Sequence, residues 1–147
     1  MEKIIKKILI VYYSVYSITI LMALIIFLNN TNSAIIDSKS ELGIFLSQFA
    51  ILFLIFIVPF SLGLFHQKTK KWSAIEDKTL MLINYQKGAI LRLIFIGSSL
   101  IINMILFYLL KDVSLIFCAG ISAIALIFCK PSVAKMTFDL KLQDPEN

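Results

Sequence analysis

Leu42–Phe65, LGIFLSQFAILFLIFIVPFSLGLF, contains no charged side chain and exceeds the roughly 20 residues an α-helix needs to cross a hydrocarbon core about 30 Å thick. In that medium no water is available to the backbone, so each N–H and C=O must be satisfied within the segment, and a helix is the way a single stretch does this. Three further stretches have the same character. Ile8–Leu28 is also free of charge, and Gly88–Leu110 and Val113–Cys129 follow later in the chain. The expected fold is therefore an all-α membrane protein with four transmembrane helices, over residues 8–28, 42–65, 88–110 and 113–129. At 147 residues and 59% hydrophobic, with a mean hydropathy of +0.90, the chain suits a single membrane domain over 1–147 rather than a water-soluble one.

The net charge of +5 follows the membrane sides. Lys3, Lys6 and Lys7 precede the first span; Lys68, Lys70, Lys71, Lys78, Lys87 and Arg92 surround the central connection; Lys130, Lys135 and Lys141 follow the last span. The other two connections have Lys39 against Asp37 and Glu41, and Lys111 against Asp112. The bias of Lys and Arg in short loops puts both termini and the central connection in the cytoplasm. Basic residues placed at helix ends serve topology, and no nucleic-acid partner is expected. The first apolar run is too long for the core of a cleaved secretory signal and reads as an uncleaved anchor.

The spans pair into two antiparallel hairpins. The first turns through the polar segment Asn29–Glu41 and the second at Lys111-Asp112. Between them the connector 66–87 is expected to be helical in part, with Ser73 and Glu76 as a capping box opening an interfacial helix from Ile75 to Ile83. Trp72 suits the headgroup level. Pro59 is expected to bend the second span. After Pro131, a short amphipathic tail over 131–142 aligns Val133, Met136 and Leu140 on one face; it is expected to lie on the membrane, with Lys135 and Lys141 near headgroups.

Catalytic chemistry finds no foothold in these residues. His66 has no Cys, Asp or Glu spaced around it as metal ligands, and the serines within the spans have no neighbouring base. Cys118 and Cys129 stand eleven apart on one helix, about 16 Å along its axis, too far to bond each other. No catalytic residue, cofactor or metal is assigned, and the protein is expected not to be an enzyme. Asp37, Glu41, Glu76, Asp77, Asp112 and Asp139 all fall outside the spans, which removes the intramembrane carboxylate that proton-coupled transporters use.

What the spans do contain is a polar stripe. Tyr85, Arg92, Ser99 and Asn103 recur at seven, seven and four residues, one face of the third helix. Tyr16 and Thr19 on the first helix and Ser122 on the fourth are candidate partners. Small and weakly polar residues of this kind mark close helix–helix contacts in lipid, so Tyr16, Thr19, Ser99, Asn103 and Ser122 are the candidate polar contacts of the bundle. Trp72, Arg92, Lys135 and Lys141 are the candidate lipid-interface residues, with Arg92 long enough to reach the cytoplasmic surface from one turn inside.

Tyr85-Gln86, Ala89, Arg92, Gly97-Ser98-Ser99, Tyr108-Leu109-Leu110, Lys130-Pro131-Ser132 and Asp139-Leu140 together resemble the pattern of a group of small four-helix bacterial membrane proteins. The resemblance covers about Tyr85–Leu142. It implies the bacterial cytoplasmic (inner) membrane and no activity to inherit. The sequence departs from the pattern at Gly97, where an acidic residue often stands, and at the Lys111-Asp112 turn. Two functions follow as expectations: a non-enzymatic accessory or scaffolding subunit acting through helix–helix and lipid contacts, or a small oligomeric transporter or channel without its own proton-coupling carboxylate. The partners to expect are membrane lipids and either further copies of the chain, as a homo-oligomer, or a larger membrane complex.

Overall fold

The computed structural model describes residues 2–29 and 34–142. The chain runs through α1 (Glu2–Leu28), α2 (Glu41–Trp72), α3 (Lys78–Leu110), α4 (Val113–Phe128) and α5 (Val133–Asp139), and among the described residues all regular structure is helical. α1, α2 and α3 are each long and apolar enough to cross a membrane; α4 and α5 pass the same test only as a pair, bent by 79°. With 16 residues, α4 is about 24 Å long. It stops there because Pro131 follows: the residue before a proline is driven out of the helical region, and Lys130 is non-helical.

α3 is the hub. α1, α2 and α4 all pack on it, and α2 also touches α4. The two-hairpin arrangement therefore needs a correction at its first half, since α1 packs mainly on α3 and not on its neighbour in sequence. The connection between α1 and α2 passes over the end of α3, where Ile35 N–H and Ile36 N–H both donate to the Leu109 carbonyl at 3.0 Å. That carbonyl belongs to the last turn of α3 and has no partner of its own in the helix. Residues 30–33 of this turn lie outside the described residues.

The connector also differs from its sequence reading. α2 continues as one helix through Pro59 to Trp72, and Ser73 closes it: the Ser73 N–H donates to the Thr69 carbonyl at 2.9 Å and its hydroxyl to the Lys70 carbonyl at 2.9 Å. With its hydroxyl used there, Ser73 does not open a capping box. Asp77 starts α3 instead, its Oδ1 accepting from Thr79 N–H at 2.8 Å and Leu80 N–H at 3.4 Å. A carboxylate is the better acceptor at a helix N-terminus because it also meets the positive end of the helix dipole. No separate interfacial helix forms, and the stretch that begins at Lys78 is the first turn of α3 itself.

The tail is corrected as well. Met136 and Leu140, expected to face lipid, are buried in the main core with Ile5, Ile8, Leu93 and Leu126. α5 folds back under the bundle and closes the end at which α4 stops. Its outward residues are Val133, Ala134 and Phe138, the last 84% exposed. An apolar helix face gains similarly from lipid and from protein, and the 79° bend after α4 delivers this one to the protein.

At the other end, Lys111 adopts the left-handed conformation with φ 52°, and its N–H donates to the Phe107 carbonyl at 2.8 Å. Asp112 then caps α4 by accepting from Ser114 N–H at 2.9 Å, while its other carboxylate oxygen accepts from the Ser47 hydroxyl of α2 at 3.0 Å. The Ser114 bond, more than the opposing effect of burial, holds the Asp112 carboxyl below its ordinary range, with Ser47 adding to it. A depressed pKa contributes stability above the unfolded value, about 3.9, and that contribution is lost as pH falls through the folded value. Thermal unfolding of detergent-solubilised protein should therefore show an acid-side loss below about pH 4 that is smaller in Asp112→Asn; an identical acid limb in the two proteins would refute this role.

α1 meets α3 closely at one crossing. A β-carbon on Gly97 would stand 2.9 Å from Cγ1 of Val15, nearer than real contacts allow, so the absence of a side chain sets how close the two helices come. Val15 is β-branched and cannot easily rotate away. Gly97→Leu is expected to lower stability in detergent by about 1–3 kcal/mol, with Val15→Ala in the same chain recovering part of the loss. Additive effects of the two changes would contradict the contact.

Candidate functional site

α3 carries Tyr85, Arg92, Ser99 and Asn103 on its inward face, and all four are buried. They form two polar layers.

The layer nearer α5 is built around Arg92, 7% exposed. Its guanidinium carbon lies 3.9 Å from the centre of the Phe65 ring of α2, and Nη2 donates to the Cys129 carbonyl at 3.5 Å, at the end of α4. Arg92 thus turns into the bundle and does not reach outward to headgroups. The cause is the end of α4. Its last carbonyls lack helical partners and carry the negative end of the helix dipole, so a cation is favoured there. Lys135 serves the adjacent position, its Nζ donating to the Phe128 carbonyl at 2.6 Å. That bond lies on the exposed surface of the bundle.

Around Arg92 the aromatic rings interlock. Phe65 meets Tyr85 edge-on at 5.4 Å and Trp72 edge-on at 6.1 Å. Trp72 is half-buried because its ring fits against Gly88, where a β-carbon would come within 2.1 Å of it. Tyr85 donates its phenol to Asp139 Oδ2 at 3.1 Å and so links α3 to α5. Beside this layer a recess of about 230 Å³ is lined by His66, Thr69, Lys70, Ser73, Phe138, Asp139 and Lys141. Lys141 there is the second residue after α5, following the C-cap Leu140, at φ 52°.

The second layer joins α3 to α4. Ser122 donates to the Cys118 carbonyl at 3.1 Å, so its oxygen is left to accept from the Ser99 hydroxyl at 3.2 Å. Asn103 Nδ2 donates to the Ser99 carbonyl at 2.8 Å, back along its own helix. Its Oδ1 is buried without a partner. Tyr16 reaches α4 and donates to the Ala123 carbonyl at 3.0 Å, whereas Thr19 bonds the Val15 carbonyl of its own helix at 2.8 Å. Of the five residues read as bundle contacts, Ser99, Ser122 and Tyr16 join helices. Asn103 and Thr19 bond within theirs. Tyr16, Thr19 and Ser122 do not bond Asn103, because each has spent its proton on a backbone carbonyl.

Sequence reasoning missed Phe65 and the cation-bearing end of α4. A signal existed for the second: Lys135 lies seven residues beyond Phe128 across a proline, placing a cation where a helix ends. None existed for Phe65, one aromatic among many on α2. Among the described residues no group of three His, Cys, Asp or Glu side chains is placed to hold a metal ion. Cys118 and Cys129 are free and buried. Comparison with protein-family models, curated proteins and solved structures finds no match, so the functional reading rests on geometry alone.

The two layers should differ in their response to mutation. Arg92→Met leaves the Cys129 carbonyl without its donor and is expected to cost about 1–3 kcal/mol. Asn103→Leu removes a side chain whose oxygen is already unpartnered, and should change stability by about 1 kcal/mol or less. Thermal unfolding in a mild detergent measures both. The ranking fails if Asn103→Leu proves the more damaging.

Proposed function

We propose that the chain is a non-enzymatic integral membrane protein with four transmembrane helices, set in the bacterial cytoplasmic membrane with both termini inside. It acts as an accessory or scaffolding subunit through helix–helix and lipid contacts. The observation that supports this reading is the sealed interior: Ser99, Asn103 and Ser122 are 0% exposed, and none of the described cavities is lined by them. A solute path along the polar stripe would need exposed polar groups at this level. In their place are short bonds between hydroxyls, an amide and backbone carbonyls. The outward surface has the opposite character, with Ile20, Phe27 and Leu28 of α1 and Leu52 and Phe56 of α2 exposed. A protein whose interior polar side chains are closed off from its surface offers other molecules its apolar faces and its basic end.

Mild-detergent purification from native membranes, with identification of co-purifying proteins, tests the role. A stable partner at defined stoichiometry is the expected result, and solute flux by the purified protein alone in liposomes would replace this reading with the transporter. The topology has its own test. In intact cells a membrane-impermeant maleimide should label Lys39→Cys directly and Lys68→Cys only after permeabilisation. Labelling of both from the same side would overturn the four-span arrangement.

A further inference from the structure

Within the apolar segment Leu42–Phe65, Gln48 breaks the pattern followed by the other polar groups of α2. Ser47, its neighbour, turns inward to Asp112, and Ser61 donates to the Val58 carbonyl at 3.0 Å. Gln48 instead points outward from α2, exposed, with none of its carboxamide hydrogen bonds formed within the chain. It stands about 10 Å along the helix from Glu41, inside the apolar segment. A carboxamide facing hydrocarbon without a hydrogen bond is costly, and polar side chains within spans characteristically bond across to another helix.

The surroundings of Gln48 have the geometry of a helix seam. Phe45, Gln48, Phe49 and Leu52 stand at i, i+3, i+4 and i+7, line one shallow groove of about 230 Å³, and are all exposed. The Phe45, Phe49 and Phe53 rings stack in sequence at 6.5 and 6.1 Å, which gives the face a continuous apolar wall. What this face lacks is a hydrogen-bonding partner at the depth of Gln48. A second copy of the chain supplies one without further conditions: all copies insert with the same orientation, so two α2 helices related by a twofold axis along the membrane normal run parallel, with residue 48 at equal depth. A carboxamide has both a donor and an acceptor, so two identical ones can bond reciprocally. A single polar residue in such a seam also fixes register, as a buried Asn does in a coiled coil.

We propose that the Phe45, Gln48, Phe49 and Leu52 face of α2 is the contact surface of a parallel, twofold-symmetric homodimer in which the two Gln48 carboxamides bond each other. The inference rests on α2 crossing the bilayer, which the maleimide labelling of Lys39→Cys and Lys68→Cys decides separately.

Full-length protein labelled with donor or acceptor dyes and reconstituted into phosphatidylethanolamine–phosphatidylglycerol vesicles should show energy transfer that falls on dilution with lipid. Gln48→Leu should shift the midpoint to about tenfold higher protein density, and Gln48→Asn by less, with circular dichroism and elution volume matching the parent. Oxidation should cross-link Phe45→Cys and Leu52→Cys between copies. It should not cross-link Ile124→Cys on the outward face of α4. A parent protein that stays monomeric at every density while labelling with the proposed topology overturns the dimer alone. Unchanged association of Gln48→Leu, or cross-linking at Ile124→Cys in preference to Phe45→Cys, overturns the α2 contact.

Discussion

The end of α4 is the constraint on which the rest of the structure depends. A helix that stops at Phe128 leaves carbonyls at Phe128, on the exposed surface, and at Cys129, inside the apolar core, that need donors. Lys135 supplies one and Arg92 the other. A buried guanidinium without compensation would be unfavourable; here the aromatic face of Phe65 and the Cys129 carbonyl provide part of it, and Nε is buried without a hydrogen-bond partner. Because Arg92 belongs to α3, Phe65 to α2 and Cys129 closes α4, one side chain ties three helices. Tyr85 and Asp139 bring in α5, so the tail is held by the same group of contacts.

From this end the bundle is organised outward along α3. Its inward face carries Leu93, Ile96, Ser99, Leu100 and Asn103 in sequence, all buried. α1 is held far less: its buried residues are Ile5, Ile8 and Tyr12, all in its first half, and beyond the Val15 crossing at Gly97 most of its large side chains are exposed. Hydrogen bonds between membrane helices average about 0.6 kcal/mol, so the Ser99–Ser122 and Tyr16–Ala123 links secure geometry more than they supply energy. The two apolar clusters and the close approaches at Gly43, Gly88 and Gly97 carry the packing. Beyond the half that contains Arg92, α2, α3 and α4 keep a smaller core of Ala50, Leu106, Leu110 and Leu115, while the second half of α1 is open-faced.

Several sequence expectations failed for a shared reason. Ser73 and Glu76 fit a capping box, but a serine can equally bond the turn before it, and the stronger acceptor Asp77 stood one residue beyond Glu76. Asn103 has three polar residues within plausible reach, yet each hydroxyl found a nearer carbonyl. Arg92 has a stem long enough to reach water, and an unfilled helix end lay closer. In each case two outcomes of similar free energy were open, and local pattern does not rank them.

The sequence by itself determined that the chain is helical, where its long apolar segments lie and the face of α3 that turns inward, though not how far α2 and α3 run on beyond those segments. Those properties follow from apolar length, from proline and capping residues, and from a period of 3.6, all of which act over a few turns of chain. Tertiary structure alone decided that α1 leans on α3 and not on α2, that Met136 and Leu140 close the bundle rather than rest on lipid, and that Phe65 lies beneath Arg92. The physical reason is that lipid and protein interior are nearly equal solvents for an apolar face. Hydrophobicity then specifies which surfaces leave water, and only shape and the few polar groups that must find partners specify which surfaces meet.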